Sequence, residues 1–358
     1  MPSVYYKFII FHYNMIVKKT RKEYFMKILK VILKVLCIIL ASVIALVLLA
    51  WGGLHVAKFI LYPDYYAQGE QVSKIPALGK GFVPQGLDYD EETDTYIHSG
   101  YNGEKAELYL VTKETAKAIV LLTPEGEQAK GHAGGVTRAG DYLYISDNHA
   151  EGDGKVGYLR IYRFSDIWNA KDGDSVKAIG QFTVDTSASF CFSDDNYIYV
   201  GEFYRPEAYE TKKEHYFTTP AGDENKAILS AFPLADDGSI AEDAKPAFSV
   251  SITSQVQGFA ITADGKVMLS RSWGLNPSYM EFHKGWKDSG KTINTMGVDV
   301  PLYYLDSTTR TENIKMPAFS EGLALVDGKV AVSFESACNK YIVGKFFFAN
   351  KVMAFEID

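Results

Sequence analysis

Ten side chains able to bind or react recur at related places in this sequence. Gln85, His132, Gln257 and Glu321 each stand shortly before a glycine that opens an alternating apolar run, and Ser187 holds the equivalent place before Ser189. Asp147, Glu202, Arg205, Arg271, Trp273 and Glu335, together with Asn102 and Asn148, follow a second alternating run. Glu202, Glu321 and Glu335 are carboxyls of the kind that work in pairs across a scissile glycosidic bond. His132 and Glu321 are ligand types for a metal-dependent lactonase, but such a centre needs several convergent donors, so no metal set is assigned. No Gly-x-Ser-x-Gly is present, which leaves a serine hydrolase unsupported. Mixed charge beside aromatics suits recognition of a glycan, peptide or protein instead.

The elements that must position these residues are legible as a repeat. "VPQGLDYDEETDTYIHSGYN", "GHAGGVTRAGDYLYISDN", "TSASFCFSDDNYIYVGEF", "QVQGFAITADGKVMLSRSW" and "FSEGLALVDGKVAVSFES" each place a small residue, a strand, a tight turn and a second strand in that order. The small residues are Gly86, Gly135, Ser189, Gly258 and Gly322; the turns, such as Asp264-Gly265 and Asp327-Gly328, suit hairpins. Two further strand-like runs follow in most units: "ELYLVT" and "AIVLLT", "GYLRIYRF" and "VKAIGQFTV", "AILSAFPL" and "PAFSVSIT", "PLYYLD" and "ENIKMP". Four antiparallel strands per repeat make the blade of a β-propeller, an all-β fold. The fifth unit has only "KVMAFEID" after its hairpin, and "QVSKIPALGKGFVPQGL" near the start matches "ENIKMPAFSEGLAL", so Gln71–Ile75 is expected to complete the last blade. Five four-stranded blades closed by their two ends are predicted, with six as the alternative if an insertion hides another sheet. An open β-sandwich would not place equivalent turns at equivalent positions five times.

In such a fold the start of an inner strand and the end of the second strand open on one face, with the hairpin turns opposite. All ten residues are therefore expected on one channel mouth. The glycines beside them are expected to permit crowding at the axis. Two long insertions rich in aromatics, Phe203–Lys226 and Arg271–Asp299, joined by Ser336–Asn350, are expected to raise a wall over that mouth, because loops of this length in a compact domain are usually functional or disordered and aromatics disfavour disorder.

Charge is distributed unevenly. Met1–Lys34 carries eight basic residues and one acid, Glu23; from totals of 37 and 44, the rest holds 29 basic and 43 acidic residues, net -14. Between them Val35–Leu54, "VLCIILASVIALVLLAWGGL", has no charge and the roughly 20 residues that cross a bilayer. The basic flank keeps the N-terminal end inside and sends the acidic bulk outside. A signal peptide has a shorter apolar region and a small-residue cleavage site, which Ala50-Trp51-Gly52 lacks, so a retained single-pass anchor in the cell membrane is expected. Met26 opens a second membrane-targeting start and is the alternative beginning. The expected organisation is a basic cytoplasmic segment 1–34, an anchor 35–57, a linker 58–69 and an extracellular propeller 70–358. Cys37 lies in the apolar run, and Cys191 and Cys338 are expected as free thiols. No Asn-x-Ser/Thr with x other than Pro occurs, in keeping with a bacterial surface protein. A domain of net -14 repels phosphate unless it concentrates its basic residues, so no nucleic-acid partner is expected.

From about Gln71 to Asp358 the chain resembles uncharacterised bacterial secreted or membrane-anchored β-propeller proteins, through "PQGL", "HAGGV" followed by "YLYISD", and "QGFAIT". The resemblance implies the fold and no substrate. Five-bladed glycosidases are similar in blade grammar, but those families resemble one another by an aspartate where this chain has Gln85. Binding of a glycan, peptide or surface protein at the mouth is the expected function; a glycosidase-like or lactonase-like hydrolase or lyase using rim carboxylates is the alternative. Catalytic residues and cofactors are unassigned.

Overall fold

The computed structural model describes residues 2–151, 154–347 and 349–357. They divide at Leu61 into two compact units. The first is one helix, α1 (Pro2–Leu61). The Val35–Leu54 run inside it has neither charge nor proline, so nothing there breaks the backbone ladder. Its most apolar 18-residue window has mean hydropathy 3.1 and is 0% buried. A core helix would be buried; this one is instead long and apolar enough to cross a bilayer.

The second unit is a β-propeller of five blades. After β1 (Glu70–Lys74), blade one holds β2 (Phe82–Asp90), β3 (Thr95–Asn102), β4 (Lys105–Val111) and β5 (Ala116–Leu122). Blade two has β6 (Gly135–Ala139), β7 (Tyr142–Glu151), β8 (Gly154–Arg163) and β10 (Gly180–Val184); the intervening β9 (Ser175–Lys177) pairs parallel to β5. Blade three is β11 (Phe190–Ser193), β12 (Tyr197–Gly201), β15 (Ala227–Pro233) and β16 (Phe248–Ile252), with a small hairpin, β13 (Phe217–Thr218) and β14 (Glu224–Asn225), inserted after β12. Blade four is β17 (Val256–Ile261), β18 (Val267–Arg271), β19 (Ser278–His283) and β22 (Arg310–Met316). Blade five is β23 (Ser320–Val326), β24 (Lys329–Phe334) and β25 (Lys351–Glu356), and β1 completes it antiparallel to β25, Glu70 facing Ala354 and Lys74 facing Lys351. This is the expected closure, and it leaves the last blade no open inner ladder.

The five inner strands stand in a ring around the axis, and the repeated small residues explain how closely. A Cβ on Gly322 would lie 2.4 Å from the Leu87 amide, and one on Gly135 would lie 2.3 Å from the Cys191 amide. Each inner glycine thus lets its strand touch the next blade's backbone, which is the crowding role expected of them. Between blades the packing is aromatic and aliphatic: Phe82, Phe190, Phe259, Phe334 and Phe355 are fully buried, each worth about 1.5–3 kcal/mol of burial.

Blade four differs from the expectation. Its third strand is "SYMEFH", not "PLYYLD"; the latter lies in β21 (Val298–Tyr304), which with β20 (Lys287–Thr295) forms a hairpin added parallel to β16 at the outer edge of blade three. β19 escapes notice because it buries Glu281, which Arg271 and Arg310 bond, and His283, whose Nδ1 meets Thr309 in the turn before β22. The mouth-side connection in blade four is therefore only 272–277. The long insertion with Trp286 leaves from the far end of β19, where Trp286 packs on Phe248 and Tyr303. Its tip reaches Asp185 just after β10, to which Thr295 Oγ1 donates at 2.7 Å and the Met296 amide at 2.8 Å.

The stretch expected as a linker also carries structure. α2 (Pro63–Gln68) starts with a proline in its first turn. Tyr62 and Tyr65 are buried, the Tyr65 ring lying 5.8 Å from Phe334 and 5.7 Å from Phe355. The packed unit begins at Tyr62 rather than at residue 70.

Candidate functional site

Three inner strands break register at one place each. The pairing of β2 with β3 slips between Pro84 and Gly86, that of β17 with β18 between Val256 and Gly258, and that of β23 with β24 between Ser320 and Leu323. The residues without a ladder partner there are Gln85, Gln257, and in β23 Glu321 with Gly322. A bulge inserts one residue without a ladder partner and re-aims its side chain. Blades four, five and one are consecutive around the ring, since Gly258 abuts β23 and Gly322 abuts β2, so the three re-aimed side chains meet. Gln255 and Phe319, just before two of these bulges, hold left-handed backbone at φ 67. For non-glycine residues that conformation is strained by about 1–3 kcal/mol, and such strain gathers at functional positions.

The meeting point is a pair of buried carboxyls. Glu321 is 3% and Glu335 7% exposed, and the two are hydrogen-bonded to each other. Gln85 Nε2 donates to Glu335 Oε2 at 2.9 Å, and Gln257 Nε2 donates to Glu321 Oε1 at 3.3 Å. Burial pushes the Glu335 carboxyl up to about 7, against which the Lys340 charge and the Gln85 and Tyr341 hydrogen bonds act. Burial, and then the Glu335 charge, hold Glu321 well above the usual carboxylate range. Two like charges in contact away from water cannot both ionise, so the pair holds a proton between them.

Residues 336–346 lie across this pair as a strap. Its Cys338 is buried against Val83 and Tyr101, Lys340 Nζ donates to the Tyr101 hydroxyl, and the Tyr341 ring stacks on Phe319 at 4.9 Å. His132 stacks on the other side of the mouth, 4.8 Å from the Tyr101 ring with planes 11° apart. His132, Tyr101, Lys340, Tyr341 and the carboxyl pair thus form one continuous polar and aromatic surface. Tyr101, Lys340 and Tyr341 escaped the sequence reading. Lys340 and Tyr341 belong to the 336–350 insertion, and Tyr101 stands next to Asn102 at the end of β3.

The other expected residues are turned to local work. Asp147 accepts backbone hydrogen bonds from His132 and Ala133 at 3.3 Å and from Asn148 at 2.8 Å, and meets Arg160 at 3.4 Å. It shapes the loop that presents His132. Glu202 is buried, receiving the Ile228 amide at 3.1 Å and contacting His215 Nδ1 at 2.9 Å inside the blade-three insertion. Arg271 binds Glu281 at 2.5 Å along its own blade and does not face the carboxyl pair. Arg205 lies over the Trp273 ring at 4.2 Å, beside Phe203 and Tyr209, so these two residues link the loops of blades three and four. The structure therefore brings Gln85, Gln257, Glu321, Glu335 and His132 to one surface, and sets Arg205 with Trp273 in a second aromatic cluster. Among the described residues no three His, Cys, Asp or Glu side chains converge in a way that would hold a metal ion.

No family model and no curated protein sequence matches the chain. Among solved structures it is similar to the PQQ-bound aldose sugar dehydrogenase of Streptomyces coelicolor, at 12% identity and TM-score 0.42 over 77% of this chain and 94% of that one. It is similar also to a putative oxidoreductase (glucose dehydrogenase) of Thermus thermophilus, at 10% identity and TM-score 0.41 over 80% and 99%. A luciferin-regenerating enzyme is similar at 12% identity and TM-score 0.39 over 80% and 95%. At such identities no residue role passes from those proteins to this chain.

Proposed function

We propose that this chain is a membrane-anchored propeller that binds a polar ligand, a glycan, peptide or protein segment, at the channel mouth outside the cell. One observation carries the reading: three consecutive inner strands break register beside Gln85, Gln257 and Glu321, whose side chains gather with Glu335 in one buried polar cluster. Regular ladders would bond every inner-strand amide, as blades two and three do, so the bulges trade ladder hydrogen bonds for a polar surface. Gln85 and Gln257 amides, the Lys340 ammonium and the stacked rings of Tyr101 and His132 supply donors and flat apolar faces, which is what hydroxyl-rich or amide-rich ligands need. The positive flank before the apolar run supports the outward placement.

A hydrolase or lyase is the second reading, favoured by the proton-sharing pair, because displaced carboxyl protonation is what acid–base chemistry uses. Glycosidase-like chemistry is the weaker form of it: carboxyls that span a glycosidic bond stand at least about 5 Å apart, whereas Glu321 and Glu335 touch.

Titrating the full chain in detergent with soluble cell-wall glycans and peptides tests both. For a ligand that binds, Gln257→Leu, Glu321→Gln and His132→Ala should each weaken affinity by about tenfold or more, the cost of one lost polar contact. Asp264→Ala and Asp327→Ala, in turns at the opposite face, should not. Equal affinity in the three mouth variants would refute the site. If the ligand is also consumed, Glu321→Gln should stop turnover while binding survives.

A further inference from the structure

The mouth face carries a second feature that the carboxyl site does not use. Leu275 is 53%, Ile342 76%, Val343 53% and Phe346 52% exposed, and all four lie in connections at the mouth-side ends of blades four and five. Outside the bilayer-spanning helix, exposed large apolar side chains are few among the described residues, so this concentration needs a partner. The connections that carry it are cationic, with Asp64 in α2 an exposed acid beyond them. Lys74, Lys80, Lys340 and Lys345 are exposed, and residues 74–81, 271–277 and 336–351 contain no Asp or Glu. In a domain of net -14 that is a segregated cationic rim.

The chain path says what lies opposite. Val256, Arg271, Tyr279 and Lys315 are paired across blade four in one row at its mouth-side end. Tyr62, where the packed unit begins, sits under Lys315 with the ammonium 5.6 Å from its ring, and the neighbouring Tyr279 raises its hydroxyl pKa after burial does. From there α2 leads to Glu70, which pairs with Lys329 at the far end of blade five, and β1 returns to the mouth side at Lys74. Tyr62, the first residue of the packed unit, therefore lies at the mouth-side edge of blade four.

We propose that the mouth face of blades four and five docks on the anionic lipid surface of the membrane in which the chain is anchored. Ile342, Val343, Phe346 and Leu275 enter the headgroup and acyl boundary, and the lysines meet lipid phosphate. Apolar side chains ringed by lysine are the composition that binds such a surface. A ligand reaching the Glu321–Glu335 site would then be presented at the membrane surface. The proposal rests on retention of the helix, and its test is separate from that of the carboxyl site, which soluble ligands probe without lipid.

The test uses the full chain with Cys37→Ser, since Cys191 and Cys338 are buried. An environment-sensitive fluorophore is placed at Ile342→Cys or, on the opposite face, at Asp327→Cys, in vesicles of phosphatidylcholine and phosphatidylglycerol. At position 342 emission should shift to the blue and be quenched by brominated acyl chains; at 327 neither should happen. No quenching at 342, or equal quenching at both, overturns the proposal. In a chain also carrying Val343→Glu and Phe346→Glu, a label at Leu275→Cys should lose its quenching; retained quenching would show that the residues do not dock as one surface. With phosphatidylcholine alone, quenching at 342 should fall, and an unchanged signal would overturn the assignment to anionic lipid.

Discussion

Glu335→Gln tests the shared proton directly. The substitution keeps the side-chain shape and an oxygen that can accept from Gln85 and Tyr341, and it removes the ionisable group. In the folded chain burial raises the Glu335 carboxyl from the ordinary 4.5 to about 7. A carboxyl raised on folding holds its proton more tightly in the native state, so its contribution is fully present below 4.5 and is lost as pH rises through about 7. At about 1.4 kcal/mol per pH unit, that interval corresponds to about 3 kcal/mol. The variant should therefore gain about 3 kcal/mol on the parent between pH 4.5 and about pH 8. His98 works with the opposite sign: buried and held neutral down to about 3 by desolvation, it costs stability as pH falls below its ordinary 6.5. It is common to both proteins, so subtracting their profiles removes it. Urea midpoints of the full chain across this pH range give the measurement. Parallel profiles would refute the shared proton and with it the acid–base reading of the mouth.

Tyr65→Ala should destabilise the propeller by about 3–5 kcal/mol, the range for emptying a buried aromatic site, read as a lower urea midpoint; an unchanged midpoint would show that α2 does not brace blade five. Deleting Glu70–Ile75 should abolish cooperative melting, because β25 loses its outer partner, and deleting residues 355–357 with the terminus should do the same; a sharp unchanged transition in either would break the closure. Gly322→Ala should cost about 1–3 kcal/mol by overpacking, since its Cβ would sit 2.4 Å from the Leu87 amide of blade one, with a normal melting curve as the contrary result.

Much of the architecture was readable because propeller repeats are local. A small residue, a strand, a two-residue turn and a second strand recur within about twenty positions, and hairpin chemistry fixes their pairing without help from distant residues. The closure was readable for the same reason, since β1 and β22 share a pattern. The blade-four strands were not. "PLYYLD" is the stronger β signal, while "SYMEFH" buries Glu281 and His283, and only the arrival of Arg271, Arg310 and Thr309 makes that burial tolerable. Tyr62 and Tyr65 were likewise hidden, because a six-residue helix has no period to detect.

The sequence by itself determined the blades, the apolar helix and which residues stand at the mouth-side ends of strands, all of which follow from spacing along the chain. Tertiary structure alone decided which of those residues meet. Gln85, Gln257 and Glu321 converge because three ladders bulge beside three interblade contacts, whereas Asp147, Glu202 and Arg271, equally polar and equally well placed, are satisfied by Arg160, His215 and Glu281 before they reach the axis. Hydrogen-bond satisfaction is settled by neighbours far apart in sequence, and no local pattern records it.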